Sequence, residues 1–279
     1  MKIAVMSDIH GNYIALQRCL AHALEQNVDA YIFLGDYLGE FPYPQRTLEI
    51  LYELKQNASC IFIRGNKEDY WLNRRKDQNC DWKSGNRSVM AMIYNYNSLN
   101  AKDLDFFETL PISQSIRFAG MEPVLACHGT PFENQKALLS EDLFVQKCEE
   151  RYIICGHTHM QGFVSDGKKK IINAGAVGVP LKSPKKTQYM ILTSDGKDWK
   201  PEFLSLEYDV DTVIKEIHES GLWDASPYWC RITEHLLDTG ELPHGTVLNH
   251  VMKLNDYQDP WYNIAGSYWE KALDELGIR

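Results

Sequence analysis

Short apolar runs alternating with helical patterns predict an α/β fold for this 279-residue chain. The opening strand, helix and strand are spaced as a parallel βαβ unit with its right-handed crossover, and further strands crowd the second half. Twisted open sheets seldom extend beyond about ten strands, so these strands are expected to split into two packed sheets with helices outside, a four-layered arrangement. At roughly 150 residues per domain, the length accommodates two units or one large α/β domain with an appendage.

Taken in order, residues 3–6, 31–34 and 60–63 are unbroken apolar runs, as in strands buried on both faces. Between the first two, Ala15, Leu16, Cys19, Leu20, Ala23 and Leu24 repeat at helical spacing. A second helix follows Pro44 and ends before the third strand. A mainly helical stretch from residue 69 to about 110 precedes strands at 112–118, 124–127, 152–155, 162–164, 170–173, 188–193 and 202–206. Asp166-Gly167 is a hairpin-turn dipeptide, so Lys168, Lys169 and Lys170 read as a solvated turn in preference to an anion site. Beyond it, Asp209 caps a helix whose Val210, Val213, Ile214 and Ile217 share one face, and Gly221 ends it. The remainder is helical and rich in aromatics. These patterns divide the chain into a domain over residues 1–206 and a helical C-terminal extension over 207–279 that caps or flanks it.

Hydrophobic residues make up 44% and charged residues 24%, which excludes disordered, collagen-like and membrane-spanning classes. The net charge of −9 repels phosphate backbones and disfavours nucleic-acid binding. Ser7 and Asp8 interrupt the first apolar run before a signal-peptide core could form, and no run of about 18 apolar residues occurs, so the expectation is a cytoplasmic protein that does not engage a membrane. The seven cysteines, Cys19, Cys60, Cys80, Cys127, Cys148, Cys155 and Cys230, are odd in number and contain no C-x-x-C pair. They read as reduced packing residues.

Ligand-type residues recur immediately after the expected strands: Asp8 and His10, Asp36, Asn66, His128, then His157 and His159. Strand ends are where α/β sheets build sites. Carboxylates, imidazoles and one amide oxygen form an N/O set suited to Mn²⁺, Fe or Zn²⁺, and the lack of cysteine ligands argues against a structural zinc knot. Any one segment alone is ordinarily a loop acid beside a surface imidazole; the ordered set is what carries the reading. His22 and His218 are expected at the surface, and His235, His244 and His250 as surface or satisfied histidines without ligand spacing.

The segments Ser7-Asp8-Ile9-His10-Gly11-Asn12, Gly35-Asp36-Tyr37, Arg64-Gly65-Asn66-Lys67-Glu68, His128-Gly129 and Gly156-His157-Thr158-His159 together resemble the calcineurin-like metallophosphoesterase superfamily. The resemblance covers about residues 1 to 205. Gly35-Asp36-Tyr37-Leu38-Gly39-Glu40-Phe41-Pro42-Tyr43-Pro44 is similar to the prokaryotic branch related to diadenosine tetraphosphatases, and the Asp-Arg-Gly element expected of a protein Ser/Thr phosphatase is missing. The resemblance implies a four-layer αββα metallophosphoesterase sandwich holding two divalent metal ions, with Mn²⁺ as the first expectation and Fe, Zn²⁺ or Ni²⁺ as alternatives. Asp8, His10, Asp36 and His159 would hold one ion, and Asp36, Asn66, His128 and His157 the other, with Asp36 bridging. Two such ions about 3.5–4 Å apart acidify a shared water, and the resulting bridging hydroxide would attack the phosphorus. Asp36, Asn66 and Lys67 are the implied catalytic residues, and Asn12, Tyr37 and Lys67 the candidate substrate contacts.

Lys67 departs from the family pattern, in which most members place a histidine after the ligating Asn. Lysine near pKa 10.4 is a poorly matched acid, although burial and nearby metal ions would lower that value. Its more secure role is charge stabilisation of the phosphoryl oxygens. The expected function is therefore a phosphoesterase acting on phosphoesters or phosphoanhydrides of small substrates, possible nucleotides or dinucleoside polyphosphates among them. A metal-binding scaffold with weak or no catalysis is the alternative, and a nuclease is disfavoured by the acidic balance. Tyr37, Phe41, Tyr43 and Trp71 are candidates to stack a base, whereas Trp223, Tyr228, Trp229, Tyr257, Trp261, Tyr262, Tyr268 and Trp269 are expected mainly to pack the extension.

Overall fold

The computed structural model describes the chain except residues 78–81, 83–86, 88 and 139–142. It is mixed α/β with two five-stranded sheets. Strands β1 (Lys2–Met6), β2 (Ala30–Phe33), β3 (Cys60–Phe62), β4 (Ser113–Ile116), β5 (Val124–Cys127), β6 (Tyr152–Cys155), β7 (Gln161–Ser165), β8 (Lys170–Ala174), β9 (Lys186–Ser194) and β10 (Trp199–Glu207) fall on the ten runs expected from the sequence. One sheet has the order β10-β9-β1-β2-β3 and the other β4-β5-β6-β8-β7. Within them β1, β2 and β3 are parallel neighbours, as are β5, β6 and β8. Their C-terminal ends therefore open on the same side of each sheet.

Alternation along the strands sorts the core. Ile3, Val5 and Ile32 of the first sheet join Val124, Ala126, Tyr152 and Ile154 of the second in one buried cluster. The opposite faces turn elsewhere: Ala4, Met6 and Phe33 pack with helical residues such as Leu16 and Leu48, and Leu125, Cys127, Ile153 and Cys155 with Val145. Both faces of these strands are buried, which is why they appear as continuous apolar runs.

The helices are α1 (Tyr13–Glu25), α2 (Pro44–Asn57), α3 (Asn66–Lys76), α4 (Met90–Ser98), α5 (Ala101–Thr109), α6 (Leu143–Lys147), α7 (Val210–Glu219), α8 (Leu222–Ala225), α9 (Pro227–Thr239), α10 (His244–Leu254) and α11 (Gly266–Glu275), with a 3₁₀ turn at Trp261–Asn263. Local chemistry accounts for several boundaries. Asn12 caps α1 by accepting from the Ala15 N–H, Pro44 occupies the first turn of α2, and Asp209 caps α7 by accepting from Thr212. Asp166 and Gly167 turn β7 back on β8, with the Asp166 carboxylate accepting from the Lys168 and Lys169 N–H groups. Lys169 reaches back to the carbonyls of Cys148 and Glu150, so that lysine is anchored to backbone where a solvated side chain was expected.

Residues after β10 pack against the strand-end loops. Val213, Ile217, Leu222, Cys230 and Leu236 share a buried cluster with Phe41, Ala91 and Val179. The Lys182 N–H donates to Gly240 O and the Lys185 N–H to Leu237 O, fastening α9 to the loop between β8 and β9. Cys19, Cys60, Cys127, Cys148, Cys155 and Cys230 are free thiols, and Cys80 lies outside the described residues. His218 is exposed and paired with Glu234, whereas His22, also expected at the surface, is half-buried with Nδ1 2.6 Å from the Tyr189 hydroxyl. Among the described residues, no helix is long and apolar enough to cross a membrane.

Candidate metal centre

The seven ligand candidates converge. Asp8 and His10 follow β1, Asp36 follows β2, Asn66 opens α3 after β3, His128 follows β5, and His157 and His159 follow β6. Backbone bonds stitch these loops together, from Asp8 N–H to Gly35 O at 3.1 Å, His10 N–H to Asp36 O at 2.9 Å and Gly156 N–H to His128 O at 2.9 Å. Asp8, His10, Asp36, His157 and His159 all have φ between 53° and 67°, a left-handed conformation that non-glycine residues rarely adopt. Such strain clusters where side chains must be aimed against local preference. Gly65 leaves room for this: a Cβ there would collide with Asp36 Oδ1.

The imidazole nitrogens and carboxylate oxygens face one another. His10 Nε2 lies 3.2 Å from His159 Nε2 and 3.7 Å from both Asp8 Oδ1 and Asp36 Oδ2. His159 Nε2 is 3.2 Å from Asp8 Oδ1. On the other side, His128 Nε2 is 3.5 Å from Asp36 Oδ1, 3.9 Å from Asp8 Oδ1 and 3.0 Å from Asn66 Oδ1, which also lies 3.0 Å from His157 Nδ1. Among the described residues, two three-residue groups could hold a metal ion: Asp8 with His10 and His159, and Asp8 with Asp36 and His128. Asp8 stands in both, while the two oxygens of Asp36 turn one to each side.

Several features fit divalent cations here. Asp8 Oδ1 is buried with no hydrogen-bond partner, a costly state for a carboxylate oxygen unless a cation satisfies it. The His128 Nδ1–H donates to Leu34 O at 2.7 Å, which leaves its Nε2 lone pair facing the cluster. Burial disfavours a charged His10, yet Glu40 and Asp8 outweigh it and push its pKa up to about 10. Burial also opposes ionisation of Asp8, but His159 and His128 hold it well below the usual carboxylate value. The field at this point calls for positive charge.

Two glutamates that sequence reasoning did not single out organise the centre. Glu68, fully buried, accepts from the N–H groups of Gly65, Asp36 and Tyr37 at 2.8 to 3.0 Å and so fixes the Asp36 loop against α3. Burial and the neighbouring Asp36 push its pKa up to about 7. Glu40 contacts His10 Nδ1 and accepts from Lys67 Nζ at 2.8 Å. Both glutamates lie inside the quoted motifs, so motif position was the signal that could have found them.

Lys67 lines the cleft, as expected, and its N–H donates to Asp36 Oδ1 at 2.8 Å. Burial lowers its ammonium pKa, as expected, but without metal ions the Glu40 and Asp36 carboxylates overcome that and raise it above the usual lysine value. The other two substrate-contact candidates lie elsewhere. Tyr37 is fully buried, donating to Ile63 O at 2.7 Å and stacking on Phe107. Asn12 is occupied as the α1 cap and donates to Gly178 O and the Tyr208 hydroxyl.

The centre opens into a cleft of ≈ 610 Å³. His10, Asp36, Asn66, Lys67, His157 and His159 form its floor, and Trp229, Pro243, His244, Leu248, Asn249 and Trp261 line it from the C-terminal segment. Tyr228 and Trp269 pack the extension as expected, but the base-stacking candidates and two extension tryptophans are placed otherwise than expected. Phe41 and Trp71 are buried, and Tyr43 carries the Arg46 guanidinium over its ring, whereas Trp229 and Trp261 reach the cleft. His244, whose Nε2 is 3.0 Å from the Thr233 hydroxyl, is satisfied as expected but also lines the cleft; burial pushes its pKa down to about 4.

Residues 1–197 match the calcineurin-like phosphoesterase superfamily domain. The chain belongs to that superfamily. An uncharacterized protein of Methanocaldococcus jannaschii is 27% identical over 247 residues, spanning 81% of this chain and 94% of the relative. A hypothetical protein of Pyrococcus horikoshii shares the superfamily fold with a TM-score of 0.70 at 18% identity, covering 86% of this chain and 98% of the other. A metallophosphoesterase from Sphaerobacter thermophilus gives a TM-score of 0.66 at 22% identity, over 86% and 100% respectively. Both alignments extend beyond the 197 residues of the superfamily match.

Proposed function

We propose that the protein hydrolyses phosphoester or phosphoanhydride bonds of small substrates, nucleotides and dinucleoside polyphosphates among them, at a dinuclear centre of the ligands above. The observation that carries this reading is the buried Asp8 Oδ1, which makes no hydrogen bond and lies among imidazole nitrogens of which those of His10 and His159 line the cleft. In this reading Asp8, His10, Asp36 and His159 hold one divalent ion and Asp36, Asn66, His128 and His157 the other, with Mn²⁺ as the first candidate. Bound there, the ions supply charge to the phosphoryl oxygens and activate the attacking water.

The chain's own residues do the rest. Asp36 lies between His10 and His128, so one carboxylate serves both halves of the centre. The Lys67 ammonium, held at the cleft by Glu40, stabilises charge on the transferring group, the term on which phosphoryl transfer chiefly relies. A lysine ammonium is cationic near neutral pH and a poorly matched proton donor there. Substrates with stabilised leaving groups, such as phosphate or aryl oxide, are therefore favoured over alkoxides. Trp229 and Trp261 offer apolar surface suited to a base or aryl group, and the segment after residue 206 thereby influences substrate choice.

A panel of aryl phosphate, aryl phosphodiester, ATP and dinucleoside polyphosphates, assayed with Mn²⁺, tests the reading. Turnover of at least one substrate that a chelator abolishes is expected; a protein that binds metal yet turns over none would favour the scaffold alternative. The same panel checks Lys67. Lys67→Ala should lower kcat/KM for all substrates by about 10²-fold, as loss of one charge-stabilising donor typically does. Lys67→His should help alkyl phosphomonoesters more than anhydrides. Equal effects across leaving groups would remove the leaving-group argument.

A further inference from the structure

The geometry points to Glu40 as a positioning residue that couples a metal-ligand imidazole to the cation of the cleft, an assignment that rests on the metal-dependent reading above. Its carboxylate has two arms. Oε2 contacts His10 Nδ1, and Oε1 accepts from Lys67 Nζ at 2.8 Å. A carboxylate on Nδ1 selects the tautomer protonated there and directs the Nε2 lone pair towards Asp8, Asp36 and His159, all within 3.7 Å. The other arm keeps the ammonium over the same floor.

The placement is enforced from the backbone as well. The Glu40 N–H donates to His10 O at 3.1 Å, so backbone and side chain of one residue grip backbone and ring of the other. The buried Asn95 donates to Gly39 O at 2.8 Å and pins the turn from behind. A Cβ on Gly39 would lie 2.5 Å from His10 Nδ1, so glycine leaves the space through which ring and carboxylate meet. Glu40 is 7% exposed, and among the described residues the cationic groups at contact distance from it are these two. An ordinary structural ion pair needs one partner. This one joins a ligand of the centre to the residue that faces substrate, which gives it two separable consequences: metal affinity through His10 and turnover through Lys67.

The test uses Mn²⁺ alone, in competition with a chelator, alongside kcat on an aryl phosphate at saturating Mn²⁺, for wild type, Glu40→Gln, Lys67→Ala and the double variant. Glu40→Gln should weaken Mn²⁺ binding by about 10- to 100-fold, the usual effect of losing a residue that orients a ligand. Lys67→Ala should not weaken it. Both should lower kcat at saturation, and the double variant should lose no more than the worse single one, because the two act through one contact. Wild-type Mn²⁺ affinity in Glu40→Gln, or kcat losses that multiply in the double variant, would overturn the assignment. Should Glu40→Gln not fold, Glu40→Asp, one methylene too short to hold both partners, should lose at least one of the two readouts, and wild-type values for both would overturn the assignment. A wild-type protein that neither binds Mn²⁺ nor turns over phosphoesters would instead sink the metal-dependent reading beneath it.

Discussion

Asp36→Asn should abolish turnover and lower metal occupancy together. The carboxylate oxygens of Asp36 lie 3.7 Å from His10 Nε2 and 3.5 Å from His128 Nε2, one on each side of the centre. An amide of the same shape keeps one acceptor but removes the negative charge that both halves would share. Under the proposed metal-dependent reading, several kcal/mol of transition-state stabilisation would depend on cations held there, which corresponds to an expected loss of at least about 10³-fold in kcat. Asp36 also accepts the Lys67 N–H at 2.8 Å through Oδ1, and Asn can retain that bond with its carbonyl oxygen. The fold should therefore survive, and metal analysis alongside kinetics can be read without an unfolding correction. Full activity with undiminished metal content would remove Asp36 from the shared position.

Glu68→Ala should produce the largest loss of stability. Three N–H groups, on Gly65, Asp36 and Tyr37, donate to this one fully buried carboxylate, and alanine leaves all three without their partner. At about 1–3 kcal/mol for each buried unsatisfied donor, the expected cost is of order 3–9 kcal/mol. That is a large part of the roughly 5–15 kcal/mol by which domains are stable. Thermal unfolding should show Tm lower by about 10 °C or more, with activity lost because the Asp36 loop is no longer fixed. Glu68→Gln, which can still accept through one oxygen, should fall between. A Tm within about 2 °C of wild type would show that these donors find other partners.

Those two residues illustrate what the sequence discloses. Asp36 was visible because it follows an apolar run, and strands buried on both faces leave a continuous signal whose end marks where a site can form. β1, β2, β5 and β6 were legible for that reason, as were the ligands that follow them. Glu68 and Glu40 were not distinguished because their roles are contacts across 31 and 30 positions, from Glu68 to Tyr37 and from Glu40 to His10; no periodicity encodes such meetings. Tyr37 misled for a local reason: Asp36 adopts φ 53°, reversing the chain so that the next side chain enters the core. The cleft aromatics misled in the opposite sense. Trp229 sits on a helix whose spacing suits packing, and only the docking of α9 and α10 beside the ligand loops brings it and His244 to the cleft.

The central claim is that these seven residues form a metal centre that hydrolyses phosphoesters. Elemental analysis of the purified full-length chain after equilibration with Mn²⁺, with aryl phosphate hydrolysis followed on the same sample before and after chelation, tests it most directly. Two divalent ions per chain and activity that disappears with them and returns on adding Mn²⁺ are the predicted result. Phosphoester hydrolysis that persists undiminished in metal-free protein would contradict it.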